Sequence, residues 1–159
     1  MIALLQRVSE ASVLVNENSS NIMNTGEETG AIGTGILALV AVEKGDTQVQ
    51  ADRLLQRILA YRIFADENGR MNLNLTQASG QLLLVPQFTL AADTNSGNRP
   101  SFTPAAEPAE GKRLFEYVLE SARRELGDVQ SGRFGAYMKV GLVNDGPVTF
   151  HLRVSPPAR

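Results

Sequence analysis

One histidine, His151, and no cysteine in 159 residues narrow the covalent chemistry open to this chain. A Ser-His-Asp triad has a single imidazole to draw on, and multi-histidine or thiolate metal centres lack their ligands. His151 alternates with Phe150 and Leu152 and reads as a sheet-face or surface residue rather than a catalyst. Asp66 and Asp93 stand in turn-like sequence, and no carboxylate pair has acid–base spacing. Catalysis here would depend on positioning and on main-chain or amide polarity. Two segments offer that. Pro86-Gln87-Phe88-Thr89-Leu90 puts an amide and a hydroxyl at the end of an apolar run. Strand ends beside loops commonly display functional groups; the bland alternative is that Gln87 and Thr89 face solvent while Phe88 fills the core. Asn144-Asp145-Gly146-Pro147-Val148-Thr149-Phe150 puts a Gly-Pro pair between two strand patterns. It demands a turn or bulge and leaves the glycine carbonyl uncovered; a plain hairpin turn would serve equally.

The elements that position these segments are legible as follows. Residues 1–8 and 11–17 read as two short strands joined near Ser9-Glu10, and 16–30 as a polar loop or hairpin tip. Residues 31–43 form an apolar run, a buried strand in which Gly33 and Gly35 mark a bulge or close backbone approach. Thr47 and Gln50 make a capping box, with Asp46 as a competing cap, for a helix ending near Phe64. Asp66-Glu67-Asn68-Gly69 turns the chain, and a further strand falls near 71–75. Residues 82–88 are a buried strand that must end, bulge or lie at an edge at Pro86, which has no N–H to give. After a loop over 91–104, a second helix starts beyond Pro104 or Pro108. Leu114, Val118, Ala122 and Leu126 lie on one face, with Gly127 as its stop. Residues 137–144 and 148–154 read as a final strand pair. The class is α+β, a mixed, rolled, barrel-like sheet with two packed helices in one domain over 1–159.

Composition excludes several roles. A net charge of −2 does not suit a protein that grips long nucleic acid through many phosphates, so no DNA partner is expected. An RNA ligand would be touched at a short end. Lys112-Arg113 and Arg123-Arg124 on the second helix read as a solvated face or an acceptor-stem contact, and Arg133 and Lys139 offer similar charge. Phe115 and Tyr117 fall at core positions. No apolar run approaches the ~18 residues of a membrane span, and no signal-peptide pattern opens the sequence.

Taken together, MIALLQRVSEASVLV, YRIFADENGRMNLNL, QFTLAADT, NRPSF and NDGPVTF stand in the order found in the D-aminoacyl-tRNA deacylases, and the chain resembles that family over almost its whole length. The paired QFTL and NxGPVT motifs are specific in combination. The resemblance implies a cytoplasmic, cofactor-free and metal-free esterase, a homodimer with active sites at its interface, acting at the terminal adenosine of aminoacyl-tRNA. It implies a cis Gly146–Pro147 peptide reaching into the partner's pocket as a chirality gate. Gln87, Phe88 and Thr89 would form the wall around adenosine and ester. Arg7 would brace the Gly-Pro loop, and Met138 would line the adenosine site. Pro86, Asn144, Val148 and Thr149 complete the implied substrate-binding set. Residues 17–29 resemble a lineage-specific insertion without a catalytic role.

The physics agrees with such a site. An aminoacyl ester is activated by the neighbouring ribose hydroxyl, so orientation and oxyanion stabilisation by N–H groups near Phe88 and Thr89 can suffice. No base stands near Thr89 in sequence, so orientation suits it better than nucleophilic attack. A rigid wall that rejects L side chains by shape would tolerate glycine, so glycyl-tRNA is an expected substrate. One departure matters: this chain has VPQFTL where the family usually has VSQFTL. Pro86 brings in a related branch that removes L-alanine, although Phe88 and Val148-Thr149-Phe150 keep the D-specific pattern. A non-catalytic RNA-end binding module is the rival from another class.

Overall fold

The computed structural model describes residues 1–16 and 26–157. Its strands are β1 (Ile2–Asn16), β2 (Glu27–Ile32), β3 (Gly35–Ala41), β4 (Phe64–Ala65), β5 (Met71–Leu73), β6 (Gln81–Pro86), β7 (Gln130–Ser131) and β8 (Tyr137–Arg153). The helices are α1 (Gln48–Ala60) and α2 (Pro108–Leu126). β1 is the spine of the main sheet. β3 and β2 pair antiparallel with its first and second halves, and β8 pairs with it along nearly its whole length. β6 lies parallel to β3, and β7 parallel to β6. The sheet then curls until β2 meets β7: a Cβ at Gly30 would stand 3.1 Å from the Ser131 backbone. This is the expected rolled, mixed sheet with two helices.

Alternation explains the layering. On β3, Ile36, Ala38 and Val40 join the main core with Leu54 and Ile58 of α1 and Leu114, Val118 and Ala122 of α2, while Leu37 faces the second cluster. β6 divides likewise, Leu82 and Leu84 against Leu83 and Val85. A parallel strand covered on both faces reads as an unbroken apolar run for this reason. Gly35 fulfils the close approach expected of it, since a Cβ there would lie 1.9 Å from the Gln81 carbonyl oxygen.

Several expectations are corrected. The two N-terminal strands are one. Between Val8 and Ala11 the residues facing the second cluster change parity, and the register with β8 shifts at the same place, so Ser9-Glu10 is a bulge in a continuous strand. The final strand pair is also one strand, because both halves of β8 pair with β1 and not with each other. Much of the 16–30 loop, over 17–25, lies outside the described residues, but 27–32 is strand β2, hidden in sequence by its polar EETGAI composition. The short β7 was not foreseen. α1 keeps its capping box, yet stops at Ala60, because Phe64 pairs with Leu73 in the separate β4–β5 ribbon. Asp46 is no cap; its carboxylate takes the buried Met1 ammonium at 2.7 Å and the Glu43 N–H at 2.7 Å. α2 begins with Pro108 in its first turn and ends at Gly127, whose φ of +83° lets its N–H reach the Arg123 carbonyl.

Candidate active site

The β3–β6 ladder delivers the first motif. Leu84 accepts from the Gly132 N–H on the β7 side, so Pro86, two residues on, turns its missing donor toward the same side, beyond the last residue of β7. Gln87 then donates its N–H to Val40 at 2.8 Å on the other side and leaves the strand with φ −144° and ψ 76°. A 3₁₀ turn over Phe88–Ala91 follows, closed by Leu90 N–H to the Gln87 carbonyl. The first N–H groups of such a turn have no partner inside it. Among the described residues those of Phe88 and Thr89 donate to nothing. Beside them the Gln87 side-chain amide donates to the Thr89 hydroxyl. That bond occupies a lone pair of the hydroxyl and fixes its direction, and no base touches it.

A cavity of about 420 Å³ opens from this strand end. Pro86, Gln87 and Phe88 border it, together with Phe134, Tyr137 and Met138 and, from α2, Gly111 and Phe115. The Met138 sulfur accepts the Arg133 N–H at 3.3 Å, and Gly132 gives it room: a Cβ there would sit 2.8 Å from that sulfur. Phe88 is 54% exposed and its ring meets Phe102, 41% exposed, at 5.0 Å between centroids.

The second motif is a four-residue bulge. Gln6 pairs with Thr149 and Val8 with Asn144, so residues 145–148 stand opposite Arg7 alone. Asn144 ties the base of the loop, accepting the Val148 N–H at 2.9 Å and donating to the Thr149 hydroxyl at 2.8 Å. Arg7 spans its back, with Nε to the Asp145 carbonyl at 3.0 Å and Nη1 to the Ile63 carbonyl at 2.7 Å. The Gly146–Pro147 peptide is cis, and Gly146 has φ +139°. Gly146 and Pro147 are exposed, whereas the Val148 side chain is buried in the main core.

The structure thus brings Pro86, Gln87, Phe88 and Met138 to one cavity, with Thr89 joined through Gln87. It assembles Arg7, Asn144, Gly146, Pro147, Val148 and Thr149 elsewhere. Following the ladders, the two groups are three strand spacings and four residues apart, roughly 20 Å along the sheet. Sequence reasoning missed Phe134, Tyr137, Gly111 and Gly132. Gly111 carried a signal, a glycine inside a helix that costs stability without a packing reason. The Phe134 ring fills that space, 3.3 Å from where a Cβ would be.

The cations of α2 are engaged at the surface: Lys112 with Glu116 at 3.8 Å, Arg113 with Glu110 at 2.6 Å, Arg123 with Glu120 at 3.0 Å. The Arg113 hydrogen bond holds the Glu110 carboxyl below its ordinary range. Tyr117, expected in the core, only borders it. It donates its hydroxyl to Asp52 at 2.8 Å, which raises the phenol's pKa. His151 is exposed.

Residues 4–153 match the family described as D-Tyr-tRNA(Tyr) deacylase. A D-aminoacyl-tRNA deacylase of Thioalkalivibrio sulfidiphilus is 60% identical over 157 residues, covering 99% of both chains. One of Cupriavidus pinatubonensis is 57% identical over 162 residues, covering 99% of this chain and 98% of its own. A solved structure named c-Myc DNA Unwinding Element Binding Protein superposes with a TM-score of 0.87 at 34% identity, over 98% of this chain and 100% of that one. A probable eukaryotic D-amino acid tRNA deacylase shares the fold, with a TM-score of 0.74 at 18% identity, over 95% and 98%. Family match, near-complete coverage and shared fold agree: the chain belongs to the D-Tyr-tRNA(Tyr) deacylase family.

Proposed function

We propose that this protein hydrolyses the ester of D-aminoacyl-tRNA in the cytoplasm, releasing the free amino acid and tRNA, and that it does so as a homodimer. The observation that carries the dimeric reading is the separation of the two motifs. The cavity has a wall and two free N–H groups but no gate, while the Gly146–Pro147 loop is braced, exposed and far from its own chain's cavity. A second copy supplies what each lacks. In this arrangement the terminal adenosine lies toward Met138 and the ester toward Gln87–Thr89. The partner loop offers its carbonyls to the substrate ammonium and leaves no space for an L side chain.

Water attacks the ester carbonyl carbon, and the carbonyl oxygen becomes an oxyanion facing the Phe88 and Thr89 N–H groups. The tetrahedral centre then collapses with loss of the ribose oxygen, which takes up the proton released by the water. The vicinal ribose hydroxyl assists that transfer, so the protein has to orient rather than to attack. Thr89, already accepting from Gln87, is a positioning group.

The test is release of tyrosine from D-Tyr-tRNA, L-Tyr-tRNA and glycine from Gly-tRNA by the purified protein. Cleavage of the D and glycyl esters with the L-tyrosyl ester spared is the expected result. Equal hydrolysis of both tyrosyl enantiomers would remove the gate, and tRNA binding without turnover would make the protein a binding module. Pro86 in the cavity wall favours including L-alanyl-tRNA in the same assay, where preferential cleavage would redirect the assignment to alanine clearance.

A further inference from the structure

A second cavity, about 270 Å³, adjoins the first. Phe115 and Phe134 border both. Its other groups are unlike those of the first. Ser131 of β7, Arg133 after it, and Glu116 of α2 bring hydroxyl, guanidinium and carboxylate groups to one small space, which Thr29 of β2 also borders. Arg133 and Glu116 take part in surface-exposed ion pairs, to Glu27 at 2.9 Å and Lys112 at 3.8 Å, and such surface pairs exchange partners at little cost.

Resting on the tRNA-ester reading above, we propose that this cavity receives the penultimate base of the substrate's CCA end and selects cytosine there. The ester lies at the Gln87–Phe88 end of the first cavity, which puts the adenine toward Met138 and Phe134. The nucleotide on its 5′ side leaves past Phe134, and the space beyond that ring is the second cavity. Phe134, with its ring tip fixed against Gly111, stands as a partition on which an unstacked base can rest, the usual way single-stranded RNA ends are held. Cytosine presents an amino donor beside two acceptors on its Watson–Crick edge. Glu116 accepts from the N4 amino group, and Arg133 donates to N3 and O2, with the Ser131 hydroxyl at hand for O2. Uracil places a carbonyl where Glu116 needs a donor, so it is rejected by charge. Every tRNA ends in the same CCA, so this contact would add affinity without restricting the enzyme to one tRNA.

The test uses three chemically prepared D-tyrosyl esters, of adenosine, of the dinucleotide CpA and of UpA. The expected result is a kcat/KM for CpA about tenfold above both UpA and adenosine, the scale of one good base-edge contact. Glu116→Ala should bring the CpA to UpA ratio close to one. Equal cleavage of CpA and UpA by the unaltered protein would overturn the subsite while leaving the hydrolase intact. So would a ratio that Glu116→Ala leaves unchanged. No cleavage of any of the three would overturn the hydrolase reading, and this inference with it.

Discussion

Gly146 of the exposed loop has little freedom to change. A Cβ there would stand 2.6 Å from the Val148 side chain and 3.2 Å from the Arg7 guanidinium, at a φ of +139° that L side chains rarely adopt. Gly146→Ala must therefore shift the loop, by an amount that a chemistry based on orientation does not tolerate. We expect kcat/KM on D-Tyr-tRNA to fall about 100-fold, with little change in melting temperature because the loop is exposed. Near-normal turnover in this variant would count against a gate made of main chain. Arg7 permits a complementary experiment. Its two bonds diverge to carbonyls on different segments, Asp145 and Ile63. A lysine has one compact charge and no planar fork, so Arg7→Lys should lose most of the activity too, despite keeping the charge. Full activity in Arg7→Lys would show that charge alone holds the loop.

Gly35 has a different task. Its α-carbon faces the Gln81 carbonyl across the parallel β3–β6 pair, and the 1.9 Å that a Cβ would meet is backbone on a central strand, which cannot swing aside. Gly35→Ala should cost about 3 kcal/mol or more, beyond the usual range for overpacking, read as a lower urea midpoint with activity per folded molecule retained. A midpoint within experimental scatter of the parent would mean the two strands separate more easily than their register suggests. That glycine was legible in sequence because it interrupts an apolar run; so were the Thr47–Gln50 box and the Leu114–Leu126 face, since caps and helical periodicity are local. Pro86 announced a strand end for the same reason. What stayed hidden was set by partners distant in sequence. EETGAI becomes β2 only because β1 offers an edge to it, and Ser9-Glu10 bulges because β8 shifts register opposite. The Asn144–Thr149 segment looked like a hairpin because turn residues do not reveal that both flanks pair with a third strand. In the site, Gln87–Thr89 and the Gly-Pro pair could be singled out locally, whereas Phe134 and Tyr137 face the cavity only after β7 and α2 have packed.

β8 leaves the sheet with an open side. Among the described residues it pairs with β1 alone, so its other edge lies outside the sheet ladder, with Leu142 and Val143 exposed. A sheet edge invites another chain where it carries no charge, as from Val140 to Asn144, and the same strand carries Gly146–Pro147. Val143→Lys should prevent pairing of two copies: sedimentation velocity is expected to show half the parent mass, with hydrolysis falling alongside. A stable monomer of undiminished activity would show that each chain gates its own cavity. The position of β1 has a further consequence, for how the polypeptide is made. β1 leaves the ribosome before the other described strands, and the flank that β8 covers is filled only when β8, the latest of them, emerges. Until then a nascent chain holds an unclosed template along its whole first segment, vulnerable to neighbouring polysomes. Slow release of the last seventeen strand residues, by rare codons or a stall, should raise the aggregated fraction far more than an equal delay placed within α1.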